Sequence, residues 1–132
     1  DRFTSAAADR SITNLLSEFG TSDIGFNYVP LEHGGNPWDH HDLLWQQSPL
    51  KHAASVRTPV LILHGEEDHR CPIGQAEEWY AALKHFGNTE VRFVRFSGEG
   101  HDMSRDGRPD RRVRRIEEIV RWFELHPIRV SR

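Results

Sequence analysis

Two short stretches concentrate the residues able to do chemistry. One is His64-Gly65-Glu66-Glu67-Asp68-His69-Arg70-Cys71-Pro72, and the other is Gly98-Glu99-Gly100-His101-Asp102. Each follows an apolar run and precedes a helical pattern. An acid in the first loop and a histidine in the second are the two non-nucleophilic parts of an acyl-transfer triad. A neutral imidazole takes the proton of a hydroxyl. A buried carboxylate fixes the imidazole tautomer through its other nitrogen and stabilises the imidazolium that forms. Spacing alone leaves Glu66, Glu67 and Asp102 open beside Asp68 as the acid paired with His101.

The elements that must position these loops are legible in the pattern. Val60-Leu61-Ile62-Leu63, entered through Thr58-Pro59, is apolar without alternation, which suits a strand buried on both faces of a parallel sheet. Pro72 fits the first turn of a helix in which Ile73, Ala76, Tyr80 and Leu83 form one stripe, closed by Gly87-Asn88. Val91 to Phe96 reads as a second strand and Ser97 to Arg108 as a loop. Pro109 opens a last helix whose apolar stripe is Val113, Ile116, Val120 and Phe123. Upstream, the pattern predicts a strand around Thr4 to Ala8. It then predicts a helix over Ser11–Phe19 stopped by Gly20, and an irregular loop from Thr21 to Pro37. Short helices follow over Asp39–Gln46 and Leu50–Ser55. Strand and helix alternate as in an α/β protein with a mostly parallel sheet flanked by helices. Right-handed crossovers then bring both loops to one sheet edge, beyond the carboxyl ends of the strands, where ligands bind in such sheets.

The bulk composition agrees with a folded domain. Of 132 residues, 36% are hydrophobic and 28% charged, which excludes a disordered tail. No apolar run approaches the ~20 residues of a membrane span. A net charge of −3 sets up no general attraction for nucleic acid or anionic lipid. The single cysteine, Cys71, excludes an internal disulfide framework and suits a reducing compartment, so a cytoplasmic location is expected. The chain opens on Asp1 and its only methionine is Met103, so the sequence is expected to be a piece of a longer one.

The run from Thr58-Pro59 through His64 to Ile73, together with Ser48-Pro49 and Gly98-Glu99-Gly100-His101, resembles the C-terminal part of the prolyl oligopeptidase family of serine peptidases. The acylaminoacyl-peptidase branch is the nearest match. Asp1-Arg2-Phe3, Arg10-Ser11, Gly20-Thr21-Ser22-Asp23-Ile24-Gly25 and Pro37-Trp38 stand where that branch has similar words, so the resemblance covers the whole chain. It implies that residues 1–132 are the C-terminal portion of an α/β-hydrolase fold. In that fold the triad runs serine, acid, histidine along the chain. The resemblance further implies Asp68 as the triad acid, His101 as the base and Arg70 as a donor to a backbone carbonyl of a peptide substrate. It implies no cofactor. The partners it implies are the remainder of the catalytic domain and a β-propeller.

The sequence departs from that family at the nucleophile. No Gly-x-Ser-x-Gly elbow occurs: Ser22 lacks the second glycine, Ser97 lies between strand and histidine, and Ser104 follows His101. The serine and its oxyanion donor are therefore expected upstream of Asp1, and residues 1–132 alone are expected to be inactive. Other readings are another α/β-hydrolase such as an esterase, or a non-catalytic fragment or inactive homologue. The edge of the first strand invites association, including formation of a homo-oligomer.

The remaining residue groups have plain readings. His33, His40, His41 and Asp42 do not have the i, i+4 spacing of a zinc helix and read as surface. His64, Asp68, His69 and Cys71 include metal-compatible types, yet the strand-end position already accounts for Asp68, and no metal is expected. Cys71 reads as inert. The arginines Arg111, Arg112, Arg114 and Arg115 have no interleaved aromatics to stack bases and read as a solvated helix face. Trp79 and Trp122 read as structural. Ile12, Phe26 and Tyr28 are expected to line an apolar specificity pocket, in the region that in the family helps receive the residue before the scissile bond.

Overall fold

A computed structural model describes residues 3–127. Three parallel strands form one sheet in the order β1 (Ala6–Asp9), β2 (Val60–Gly65), β3 (Val91–Phe96). Ala6 pairs with Val60, and Val60 with Val91, so the strands start level and their carboxyl ends share one edge. The helices are α1 (Leu15–Thr21), α2 (Gly25–His33), α3 (His41–Gln47), α4 (Ile73–Phe86), α5 (Met103–Asp106) and α6 (Pro109–Leu125), with a 3-10 segment over Pro49–Ser55.

Every residue of β2 is buried, as its unbroken apolar run requires. Its period of two divides the interior into two cores. Leu61 and Leu63 point to one face and pack with Val94, Phe96, Met103 and Trp122. Val60 and Ile62 point to the other and pack with Ala53, Ala76 and Leu83. A third cluster, Leu15, Val29 and Leu44, joins α1, α2 and α3. Buried Gln75 on α4 fastens that helical unit to the sheet. Its Oε1 accepts the Thr13 and Asn14 backbone N–H groups at 2.9 and 2.8 Å, and its Nε2 donates to Ser17 Oγ at 2.9 Å.

The structure corrects four expectations. The segment Thr21–Pro37 is not an irregular loop, because it contains the nine-residue helix α2. The residues that suggest a loop have helical roles instead. Gly25 starts the helix where a Cβ would collide with the Glu18 and Phe19 carbonyls. Gly34 ends it in the left-handed conformation at φ 83°. The upstream helix begins at Leu15 rather than Ser11, capped by Asn14, whose side chain accepts the Leu16 N–H at 3.1 Å. It runs through Gly20 to Thr21. Ser97–Arg108 includes the single turn α5.

The fourth correction concerns α6. Val113, Ile116, Val120 and Phe123 are exposed, while Trp122 is buried against the sheet with Ile119 beside it. The helix carries two apolar lines, and the one anchored by the larger side chain faces the core. Strand β1 pairs with β2 only, so its other edge is unpaired among the described residues. No helix among them is long and apolar enough to cross a membrane.

Candidate active site

The two chemistry-bearing loops leave adjacent strand ends and are tied to each other by backbone. Glu66 N–H donates to Phe96 O at 3.0 Å and Glu67 N–H to Glu99 O at 2.9 Å. Gly65 permits this approach, since a Cβ there would meet the Glu99 carbonyl. The β2–α4 loop then turns so that Asp68 is buried, 3% exposed. Its Oδ1 accepts the backbone N–H groups of Arg70 at 2.9 Å and Cys71 at 2.8 Å. Its Oδ2 lies 2.9 Å from His101 Nδ1.

That contact fixes the imidazole. A carboxylate only accepts, so Nδ1 carries the proton and Nε2 presents its lone pair. The ring is partly exposed, and Nε2 has no hydrogen-bond partner among the described residues. Arg10, just past β1, holds the other end of the residue by donating from Nη1 to the His101 carbonyl at 2.7 Å. Arg10 adopts a backbone φ of 47°, uncommon for a residue other than glycine. Of the four acids that spacing left open, only Asp68 meets His101. Glu66 pairs with Arg95 and Ser97, each at 2.8 Å. Asp102 faces Arg10 and Arg105, and Glu67 is exposed.

Behind Asp68 the interior is polar. Buried His64 donates from Nε2 to the Cys71 carbonyl at 2.6 Å, and its Nδ1 has no partner. Burial holds its pKa below the usual histidine value, so the ring is neutral. The Cys71 thiol is buried, and its pKa is pushed up to about 12 by burial first and then by the neighbouring Glu18 and Asp68 carboxyls. That makes it a poor nucleophile. Glu18 on α1 is 1% exposed, neither of its carboxyl oxygens has a hydrogen-bond partner, and burial raises its pKa to about 7.

Arg70 is exposed beside the pair. Its side chain reaches Asp23 at the α1–α2 corner, with Nε to Oδ1 at 2.8 Å and Nη2 to Oδ2 at 3.3 Å. Of the three pocket candidates, Ile12 and Tyr28 pack against the Leu15, Val29, Leu44 cluster, whereas Phe26 is exposed. The structure therefore brings together Asp68, His101 and Arg70, while Phe26 is exposed outside the buried cluster that Ile12 and Tyr28 join. Arg10, Asp23 and Glu18 join this region without having been singled out for it by spacing.

No serine among the described residues hydrogen-bonds His101. Ser22 Oγ donates to Arg70 O at 2.7 Å and Ser97 Oγ to Glu66 at 2.8 Å. The arrangement is a preset acid–base pair facing outward, able to take a proton from a hydroxyl supplied by another segment.

A model of the prolyl oligopeptidase family matches residues 1–126. A peptidase of Bacillus subtilis is 45% identical over 126 residues, covering 96% of this chain and 19% of that protein. The acylamino-acid-releasing enzyme of Arabidopsis thaliana is 32% identical, covering 96% of this chain and 17% of its own length. Among solved structures, the Pyrococcus horikoshii acylaminoacyl peptidase superposes with a TM-score of 0.92 at 30% identity, over 100% of this chain and 21% of that one. The chain thus spans about a fifth of the length of the relatives it matches.

Proposed function

Since this chain belongs to the prolyl oligopeptidase family, we propose that it is the C-terminal part of the catalytic domain of a serine peptidase that hydrolyses short peptides, acting like an acylaminoacyl peptidase. The observation that carries this reading is the Asp68–His101 contact at the ends of adjacent parallel strands. In the reaction, the nucleophile's O–H proton passes to His101 Nε2 as its oxygen bonds to the acyl carbon. The imidazolium returns that proton to the leaving nitrogen as the C–N bond breaks. Water then repeats the sequence on the acyl ester, with His101 again taking and returning one proton. Asp68 keeps Nδ1 protonated and the ring oriented throughout. Acid–base assistance of this kind contributes ~10²–10⁴ in rate.

Arg70 donates to a carbonyl of the peptide backbone, a role suited to a fixed guanidinium fork. Ile12, Phe26 and Tyr28 line the pocket for the acyl-side residue. The nucleophilic serine lies upstream of Asp1 in the parent sequence, so residues 1–132 alone do not hydrolyse peptides. The partners of this segment are the rest of the catalytic domain and a β-propeller. The unpaired edge of β1 and the exposed line Val113, Ile116, Val120, Phe123 on α6 support a docking role toward the former. These surfaces also permit a homo-oligomer. A cytoplasmic location fits the free, buried Cys71. The test is hydrolysis of an N-acetylated peptide by the full-length protein. Release of the N-acetylated amino acid supports the reading, and no turnover of any short peptide sinks it.

A further inference from the structure

The α1–α2 corner grips the β2–α4 loop at three points. Asp23 N–H donates to His69 O at 2.9 Å, Ser22 Oγ donates to Arg70 O at 2.7 Å, and the Arg70 guanidinium docks on the Asp23 carboxylate through two of its nitrogens. The corner itself is held by the tight crossing at Gly25, where the chain passes against the Glu18 and Phe19 carbonyls. One loop residue thus faces two ways. The Arg70 backbone N–H fixes Asp68, and its side chain lies at the mouth of the site, 47% exposed.

We propose that Asp23 is a positioning residue that sets what Arg70 recognises, making it a donor to neutral carbonyl oxygens and not a receptor for carboxylates. This inference rests on the peptidase reading above. A lone guanidinium carries a net charge and matches a carboxylate with two parallel bonds. Here the Nε–Nη2 edge is occupied by Asp23, whose charge offsets that of the guanidinium. Arg70 Nη1 has no hydrogen-bond partner among the described residues, so it remains free to donate. The pair as a whole is neutral. A peptide or acyl carbonyl gains a hydrogen bond from Nη1 without meeting a net field. A substrate carboxylate at the same place finds the guanidinium charge already offset by Asp23 and gains no net attraction from it. The Asp23 carboxyl is held below the usual carboxylate range by its bond to Arg70, with His69 and His101 adding to the effect.

An ordinary exposed ion pair would be energetically almost silent, so the test reads selectivity. Two chromogenic peptide anilides of identical sequence are compared on the full-length protein, one N-acetylated and one N-succinylated, the second differing by its carboxylate. The Asp23→Asn variant is expected to raise the succinyl-to-acetyl ratio of kcat/KM by about three- to fivefold, mainly through KM. Asp23→Glu is expected to keep the original ratio. In an Arg70→Ala background, Asp23→Asn is expected to leave the ratio unchanged, because the effect runs through Arg70. An unchanged ratio in Asp23→Asn, or the same change with Arg70 absent, overturns this inference alone. If the unsubstituted protein hydrolyses neither peptide, the peptidase reading falls and takes this one with it.

Discussion

His101 Nδ1 and Asp68 Oδ2 stand 2.9 Å apart although 33 residues separate them in sequence. The carboxylate is not free to turn toward another partner, because Arg70 and Cys71 donate their backbone N–H groups to its second oxygen. The His101 backbone is held at the far end by Arg10, which donates to its carbonyl. The pair is preorganised by β2, β3 and the first residue past β1, three strand ends that share one edge.

Substituting Asp68→Asn keeps the size of the side chain but lets it present an N–H to Nδ1, favouring the wrong imidazole tautomer. In the full-length protein kcat is expected to fall by about 10⁴, the scale seen when a triad acid is neutralised, while KM changes little. Steady-state kinetics on an N-acetylated peptide would show it. A fall smaller than tenfold would mean that His101 does not depend on Asp68.

Glu18 predicts a pH dependence of stability. Its pKa is raised by burial from an ordinary 4.5 to about 7. Between those values the native state holds the proton and the unfolded chain has released it. Stability therefore falls as pH rises through this window, and the loss is complete above about pH 7. The difference corresponds to roughly 3 kcal/mol. Denaturant unfolding of Glu18→Gln is expected to lack this decline and to exceed the unsubstituted protein in stability at pH 8. Parallel pH profiles for the two proteins would refute it.

Cys71 is expected to resist alkylation. With its pKa pushed up to about 12 and its side chain buried, the thiolate fraction at pH 8 is about 10³-fold below that of an ordinary cysteine. Iodoacetamide labelling followed by mass spectrometry should be slow in the native protein and fast in denaturant. Rapid native labelling would show that the loop opens.

Phe26 offers a test of the proposed pocket. If its exposed ring contacts the acyl-side residue of a substrate, Phe26→Ala should reduce the preference for phenylalanyl over alanyl substrates by about tenfold, the scale of a lost apolar contact. Unchanged discrimination would remove Phe26 from the pocket.

The parts of the fold visible in the sequence are those whose signal is local. The unbroken run at β2 and the stripe Ile73, Ala76, Tyr80, Leu83 lie where their patterns place them. Helix α2 was hidden because Gly25, Pro30 and Gly34 are loop residues by habit. Here they serve a close crossing, a helix interior and a left-handed cap. On α6, periodicity picks out Val113, Ile116, Val120 and Phe123, but that line is the exposed one. Packing of Trp122 against Phe96 and Met103 decides which faces inward. An acid and a histidine on successive strand-end loops were legible from spacing, but the choice of Asp68 over Glu66, Glu67 and Asp102 came from the resemblance. Asp23 and Arg10 were not legible, because their contacts cross 47 and 91 residues and leave no trace in spacing.

Asp68 and His101 are proposed to serve a serine that lies outside residues 1–132. This is tested most directly by treating the full-length protein with a fluorophosphonate probe and mapping the adduct by peptide mass spectrometry. A single labelled serine upstream of Asp1 is expected, with labelling lost in His101→Ala. An adduct on Ser22, Ser97 or Ser104, or undiminished labelling in His101→Ala, would contradict it.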